Sequence, residues 1–94
     1  MSVLVEDNPA QRRFEILVDG DLAGFAAYDL RPGVVVFTHT EVYPAFRGKG
    51  ISGTLARAAL DRVRERGERT VPSCEFIAAY IDKHPQYAEL LAPA

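Results

Sequence analysis

The chain has 94 residues, 48% of them hydrophobic and 26% charged, which is typical of one small globular domain. This length leaves no room for a separate substrate domain, so any site must lie on the same core that holds the fold together. The net charge of −2 at pH 7 argues against a protein that works mainly by neutralising nucleic-acid phosphates.

The single cysteine, Cys74, excludes an internal disulfide, and two distant histidines add no metal-ligand spacing, so we expect no metal. Residues 1–7 carry acids where a secretion signal needs bases. No apolar run approaches the roughly 20 residues of a membrane span. We therefore expect a reduced, cytoplasmic protein that binds neither nucleic acid nor a membrane.

The first half of the chain is predicted to form an antiparallel meander. Residues 13–18 alternate as a strand does, Asp19-Gly20-Asp21 turns the chain back, and residues 22–30 supply a second strand. After a turn at Arg31-Pro32-Gly33, residues 34–42 are mostly β-branched or aromatic and predict a long third strand. This strand begins apolar and ends polar, which indicates that it leaves the core for a site.

The second half is predicted to contain two helices separated by a short strand. Over residues 51–66 the apolar residues share one helical face, and Gly67 ends the helix. The residues of this face are Ile51, Leu55, Ala58, Ala59 and Val63. A short strand ended by proline follows over residues 69–74, and a second helix runs from about residue 73 or 74 to Lys83. The predicted fold class is α+β, an antiparallel β meander followed by a β-α-β crossover and a C-terminal helix.

The junction of the third strand and the first helix is a glycine-rich turn. It contains the sequence Arg47-Gly48-Lys49-Gly50-Ile51-Ser52-Gly53. The glycines permit backbone conformations that a Cβ would forbid, so successive N–H groups can converge on an anion. The helix adds the positive end of its dipole, and Arg47 and Lys49 add full charges. The turn therefore predicts a phosphate site.

Two other nucleotide-binding motifs were compared with this turn. Residues 48–53 also satisfy the dinucleotide fingerprint, but the acid roughly 20 residues on, Glu68, precedes its strand instead of following it. The chain also has room for only one β-α repeat. A Walker phosphate loop is absent because Lys49 is followed by Gly50 and not by Ser or Thr.

The strand, the turn and the helix together resemble the GNAT superfamily of acetyl-CoA-dependent N-acetyltransferases. In that superfamily a strand ending in Val-x-Pro precedes the pattern Arg/Gln-x-x-Gly-x-Gly/Ala, which binds the pyrophosphate of coenzyme A. Here Val42-Tyr43-Pro44 precedes Arg47-Gly48-Lys49-Gly50-Ile51-Ser52, with Ser52 where Gly or Ala is usual. The resemblance implies a single GNAT-like domain over residues 1–94 with acetyl-CoA as cosubstrate.

A narrower resemblance is to the short, single-domain branch often labelled YjdJ-type. That branch has a Thr-His-Thr-Glu-Val strand end, present here over residues 38–42. It also has a Cys-x-Phe-[IV]-x-x-[YF]-[IL]-x-x-His-Pro-x-Tyr segment, present here over residues 74–87. The resemblance extends from about Phe14 to Tyr87.

The resemblance also implies which residues bind the cosubstrate. The backbone of Glu41, Val42 and Tyr43 would pair with the pantetheine arm as an added strand does. The amides of the turn would hold the pyrophosphate, and a cationic side chain could reach a phosphate directly. The implied phosphate-binding residues are Arg47, Gly48, Lys49, Gly50, Ile51, Ser52 and Gly53.

Four residues are candidates for the chemistry. His39 and Glu41 are two apart, so on a strand they face the same side and can act as a base or water relay. The alternative is that His39 packs against its neighbours. Cys74 lies at a predicted helix N-terminus, where the dipole favours a thiolate, and is either an acetyl relay or a wall of the thioester pocket. Six residues on, Tyr80 is expected on roughly the same side, as an acid for the departing thiolate or as core.

The predicted function is transfer of an acetyl group from acetyl-CoA to an amine whose identity the sequence does not define. Two alternatives are a coenzyme A or acyl-CoA binding module without turnover, and a thiol protein centred on Cys74. Because the chain lacks helices that wall the acceptor side in larger relatives, we expect a macromolecular acceptor or a second copy completing the site. Both monomer and homodimer remain open.

Overall fold

The computed structural model describes residues 2–93, which form a five-stranded sheet with strand order β1-β2-β3-β4-β5. The strands are β1 (Val3–Asn8), β2 (Arg13–Val18), β3 (Asp21–Arg31), β4 (Val34–Val42) and β5 (Arg69–Pro72). The first four are antiparallel, and β5 runs parallel to β4. The helices are α1 (Ile51–Glu65) and α2 (Glu75–Lys83), with 3₁₀ segments at Pro44–Phe46 and Pro85–Leu90. The α+β prediction is confirmed.

Strand β1 was not predicted from the sequence. Residues 3–8 are acidic at two positions and none of them is buried, so this segment lacks the apolar alternation typical of a strand. Pairing with β2 makes this segment a strand, in the register Val3↔Val18 to Asn8↔Arg13. Its far end is anchored by Asp7, which accepts hydrogen bonds from the Tyr28 hydroxyl at 2.6 Å and from Arg66 at 2.8 Å.

Tight turns end β2 and α1 at the predicted positions. Asp19 and Gly20 both have positive φ, +51° and +86°, which is the conformation of a hairpin turn that matches strand twist. At the end of α1, Gly67 has φ +68°, and its amide and that of Glu68 close the helix on the carbonyls of Arg64 and Val63. The predicted boundaries of β2, β4 and α1 agree with these ends to within one residue.

Both helices pack on one face of the sheet, which we call the inner face. Its side chains come from alternate strand residues such as Phe14, Ile16 and Phe37, which are at most 2% exposed. Leu55 and Leu60 of α1 and Ile77 of α2 are completely buried in the same cluster. The 3₁₀ segment after α2 adds Tyr87 and Leu90.

The opposite face, which we call the outer face, carries the other half of each strand. Its residues on β2 and β3, including Arg13, Glu15, Leu17 and Phe25, are half-buried. The buried residues of α1 and α2 join the cluster of the inner face. The helices therefore leave the outer face without a covering layer from the described residues.

Candidate active site

The glycine-rich turn presents free backbone amides at the start of α1. Gly48 and Gly50 have φ of +81° and +72°, and Gly50 is the N-cap of the helix. The first amides of α1 have no intrahelical acceptor, so they point out of the helix end together with its positive dipole. A cavity of about 100 Å³ lies against this turn. It is lined by Val42, Phe46, Arg47, Gly48, Gly50, Ile51 and Ser52.

Two cations border the turn, and no acid lines the cavity. The Arg47 Nε donates to the Val42 carbonyl at 3.1 Å, so its guanidinium lies across the end of β4. The Lys49 ammonium sits 5.8 Å from the ring centroid of Phe46. Both side chains are exposed and can turn to an anion at the helix N-terminus. The turn therefore brings backbone amides and two cations to one cavity, the groups that bind a phosphate.

The polar end of β4 has a free edge. Pairing between β4 and β5 stops at Phe37↔Pro72, and the Cys74 amide donates the next bond to the Phe37 carbonyl at 2.9 Å. From Thr38 to Val42 the strand pairs with β3 on one side, and no other described strand pairs with it on the other. A bulge at Thr38 lies where β4 and β5 separate. It is seen in the register of β4 with β3, where Ala27 pairs with His39 and Tyr28 pairs with Phe37.

Alternation of the backbone shows which groups face this free edge. The Tyr43 amide donates to Ala23 on β3, whereas the Val42 carbonyl points away from β3 and accepts from Arg47. Of the predicted segment Glu41 to Tyr43, Val42 is thus the residue whose backbone groups face the free edge. Thr40, two residues earlier, faces the same way.

The end of β4 is held in place by an unusually close approach of β3. An added Cβ at Gly24 would lie 2.4 Å from the Glu41 carbonyl oxygen and 3.1 Å from the Val42 Cα. Only a glycine permits two backbones to come so near. Gly24 was not among the predicted residues, although an isolated glycine in a strand is a known signal of such an approach.

Cys74 caps α2 and faces β4. Its side chain is 8% exposed, and its Sγ lies 3.3 Å from the Thr40 Oγ1. Thr40 belongs to the strand end that has lost its β5 neighbour, so the thiol is beside the free edge. Thr40 was not a predicted site residue, because only the tertiary fold shows which side chain meets the cysteine.

His39 and Glu41 lie on the outer face, as alternation predicted for the pair. Their partners across the sheet, Ala27 and Phe25, are outer-face residues as well. Thr40 and Cys74 are therefore on the other side of β4. No hydrogen bond joins His39 to Glu41 within residues 2–93, and the imidazole lies 6.0 Å from the Phe25 ring. The two pairs flank the free edge from opposite faces.

Tyr80 does not share a side with Cys74, and that expectation was wrong. Six residues are about one and two-thirds turns, which leaves the two side chains well apart around the helix. Tyr80 instead faces α1, with a ring carbon 4.0 Å from where a Gly53 Cβ would lie, and stacks on His84 at 3.9 Å. Its hydroxyl makes no hydrogen bond within the described residues.

A groove runs between the N-terminus of α1 and α2. It has a volume of about 210 Å³ and is lined by Ser52, Gly53, Phe76, Ala79, Tyr80 and Lys83. Phe76 and Tyr80 are both half-buried along this groove. The groove shares Ser52 with the cavity at the turn, so the two form neighbouring parts of one surface.

The described residues were also compared with what a metal site and a membrane span require. No group of three His, Cys, Asp or Glu side chains in the described part of the chain is arranged to hold a metal ion. Neither α1 nor α2, nor any other helix within residues 2–93, has the length and apolarity to cross a membrane.

The fold and the site together define a class of protein. It is an α+β domain in which a parallel pair of strands separates beside a glycine turn that opens a helix. The model of a family described as GCN5-related N-acetyl-transferase matches residues 13–90. The chain therefore belongs to the GCN5-related N-acetyltransferase family, the GNAT superfamily predicted from the motifs.

Individual relatives agree with this assignment. Protein NATD1 of Xenopus tropicalis is 36% identical over 96 residues, covering 98% of this chain and 88% of that protein. The streptothricin acetyltransferase of Streptomyces lavendulae is 44% identical over 64 residues, covering 66% of this chain and 34% of that enzyme.

The fold also matches a solved structure. A GCN5-like protein from Staphylococcus aureus superimposes with a TM-score of 0.71 at 18% identity, covering 97% of this chain and 89% of that one.

Membership of a family of acetyltransferases supports acyl transfer as the general activity. The narrower YjdJ-type assignment stays a prediction.

Proposed function

We propose that this protein binds acetyl-CoA and transfers its acetyl group to an amine. One observation carries the proposal: the free edge of β4 lies next to a turn whose amides and cations fit a phosphate. A cosubstrate with a peptide-like arm and a pyrophosphate needs these two features side by side. In this proposal Val42 and Thr40 pair with the arm, and residues 47–53 hold the pyrophosphate.

Acetyl transfer forms a C–N bond and breaks a C–S bond. The amine must lose its ammonium proton before it attacks, and the departing thiolate must gain one. His39 and Glu41 approach the free edge from the outer face and are suited to take the amine's proton directly or through water. Cys74 and Thr40 approach from the inner face and would line the thioester pocket.

A candidate donor of the proton for the thiolate is Tyr80 on α2, whose hydroxyl has no hydrogen-bond partner among residues 2–93. It lies along the groove that meets the turn at Ser52. Its ring stacks on His84, which orients the ring and sets the position of the hydroxyl oxygen. A packing role for the ring and an acid role for the hydroxyl are compatible at this position.

The test is a calorimetric titration with coenzyme A, using two glycine variants matched for backbone strain. Gly50→Val and Gly33→Val both place a β-branched residue at positive φ, +72° and +70°, and neither added Cβ has a protein atom within 4 Å. Gly33 lies in the β3–β4 turn, at the opposite end of β4. We expect wild type to bind at tens to hundreds of micromolar, about 5 to 6 kcal/mol.

Gly50→Val should weaken binding by about tenfold or more, since it disturbs the amides at the helix N-terminus. Gly33→Val should lose comparable stability but keep its affinity. Absence of binding by wild type, or equal affinity in the two variants, would refute the proposal.

A second measurement distinguishes an acetyltransferase from a protein that binds acetyl-CoA without turnover. Release of free thiol from acetyl-CoA is followed with a panel of amines. Binding without release against any amine would favour the sensor or partner protein over the enzyme.

A further inference from the structure

The outer face carries an aromatic ring between two acids. Glu15 of β2, Phe25 of β3 and Glu41 of β4 are directly opposite one another in the register of the sheet. Residues in one such row project from the same face. The two outer strands of the row are two strand spacings apart, roughly 10 Å. Phe25 is therefore flanked on both sides by carboxylates.

One side of this ring already binds a cation, from the chain itself. The Arg13 guanidinium carbon lies 4.8 Å from the Phe25 ring centroid, and its Nε is 2.7 Å from the Glu15 carboxylate. The Arg13 and Glu15 side chains are only 21% and 16% exposed, so this cation is well shielded. The geometry combines a cation–π contact with an ion pair, the two interactions by which proteins recognise ammonium and guanidinium groups.

On the β4 side, the Phe25 ring also lies beside a carboxylate, that of Glu41, but no cation of the described residues pairs with it. Glu41 forms no salt bridge with any residue among 2–93. Two more rings lie beside Phe25 on the β4 side. The ring centroid of His39 is 6.0 Å from that of Phe25, and the ring centroid of Tyr43 is 6.2 Å from it. This half of the row is also the half next to the free edge of β4, where the proposed function places the acetyl group.

We propose that the surface formed by Phe25, His39, Glu41 and Tyr43 binds a cationic side chain of a polypeptide acceptor. The inference rests on the proposed function for its role in catalysis and names the class of acceptor. A lysine or arginine side chain of the acceptor would contact Phe25 and pair with Glu41, as Arg13 does with Phe25 and Glu15. A neighbouring lysine amine of the same segment would then reach the free edge.

The shape of the face favours a polypeptide over a small amine. Neither Phe25, His39 nor Glu41 lines the cavities at the turn or in the groove. A small amine would be held on one side only, whereas an extended chain can lie across several strands of an uncovered sheet. Acidic partners are disfavoured, because the row presents two carboxylates and one internal arginine.

The experiment is an NMR titration of the labelled protein without acetyl-CoA, so that the readout does not depend on turnover. The probes are the pentapeptide Ala-Lys-Ser-Lys-Ala with blocked ends and two counterparts in which both lysines are glutamate or norleucine. We expect the lysine peptide to shift the amides of Phe25, His39 and Glu41. The glutamate and norleucine peptides should bind at least about fivefold more weakly.

Three variants test the residues. Glu41→Gln is isosteric and keeps the backbone of β4, and Phe25→Leu keeps an apolar side chain; each should weaken the lysine peptide at least about threefold. Asp29→Asn is the control: it removes one negative charge, as Glu41→Gln does, but at an exposed position of β3 outside the proposed surface. This variant should bind the lysine peptide as wild type does. Unchanged affinity in both Glu41→Gln and Phe25→Leu would overturn the inference, as would equal binding of the glutamate peptide.

Two further outcomes are decisive. Equal shifts with 1,5-diaminopentane, at matched concentration, would replace the polypeptide by a small dication and overturn the assigned occupant. Titration of the same sample with coenzyme A tests the proposed function separately through the amides of Gly48, Gly50 and Gly53. Peptide binding without coenzyme A binding would refute the proposed function while leaving the cation surface in place.

Discussion

The thiol of Cys74 lies 3.3 Å from the hydroxyl oxygen of Thr40, so α2 and β4 meet through side chains where β5 has turned away. The contact joins the N-cap of a helix to the free edge of a strand. Cys74 is only 8% exposed, so little of the thiol is open to solvent.

We expect Cys74 to line the thioester pocket without carrying the acetyl group. Cys74→Ala should leave coenzyme A affinity within about 1 kcal/mol of wild type and lower turnover modestly. Intact-mass analysis after incubation with acetyl-CoA should show no hydroxylamine-sensitive acetyl adduct. An adduct on wild type that is absent from Cys74→Ser, together with complete loss of turnover, would instead establish a covalent relay.

Alkylation gives an independent check on the same residue. Since the chain contains a single cysteine, any label from iodoacetamide reports on Cys74 alone. Saturating coenzyme A should slow the reaction several-fold by covering the edge. A rate unaffected by coenzyme A would place the thiol outside the site.

Arg47 and Lys49 should each contribute to the binding of coenzyme A phosphates. Replacing either by alanine should weaken affinity by about 1 to 2 kcal/mol at low salt and by less at high salt, because the contacts are exposed and screened. Arg57→Ala is the control, since Arg57 is exposed on α1 but does not line the cavity at the turn.

Dephospho-coenzyme A assigns the individual phosphates. If Lys49 holds the 3′-phosphate, Lys49→Ala should bind both ligands alike. A difference between the ligands that persists in Lys49→Ala would assign that phosphate to another residue.

Gly53→Ala should raise stability and lower affinity together. Gly53 is in the first turns of α1, where alanine is favoured over glycine by about 1 kcal/mol, and its added Cβ makes only an ordinary contact with Tyr80 at 4.0 Å. The new methyl group, however, enters the groove at Gly53, one of the residues that we propose to hold the pyrophosphate. Thermal unfolding and calorimetry on the same sample test both effects, and unchanged affinity would remove the groove from the binding surface.

Stability at high pH should depend on Tyr87. Burial, and then the hydrogen bond from its hydroxyl to Asp61 at 2.7 Å, raises the pKa of Tyr87 from 10.0 to about 12. Because the folded protein holds this proton more tightly than the unfolded chain, the stabilisation is complete below pH 10 and is lost as pH rises toward 12.

Urea unfolding of wild type and Tyr87→Phe between pH 8 and pH 11.5 measures this directly. The difference in unfolding free energy should be constant at first. Above about pH 10 it should fall by up to roughly 1.4 kcal/mol per pH unit. A difference that stays level throughout this range would contradict the raised pKa.

Much of the fold could be predicted because its signals are local. The hairpin turn at Asp19-Gly20 and the helix stop at Gly67 are encoded by residues that tolerate positive φ. The apolar face of α1 follows from the helical period, and Ile51, Leu55, Ala59 and Val63 of the predicted face are buried. Ala58 is half-buried, while Ala56 and Leu60 complete the face, so the period was correct and its centre slightly displaced.

By itself the sequence determined the meander, the crossover, the glycine turn and membership of its family, because each depends on neighbours along the chain. Only the tertiary structure decided that residues 3–8 form a strand, that Cys74 meets Thr40, and that Tyr80 faces α1. It also placed Glu15, Phe25 and Glu41 in one row. The reason for β1 is that an acidic, partly exposed segment becomes a strand only by pairing with β2. In the other three cases the contacting residues belong to different elements, and their positions are set by strand pairing, by the bulge at Thr38 and by the orientation of α2.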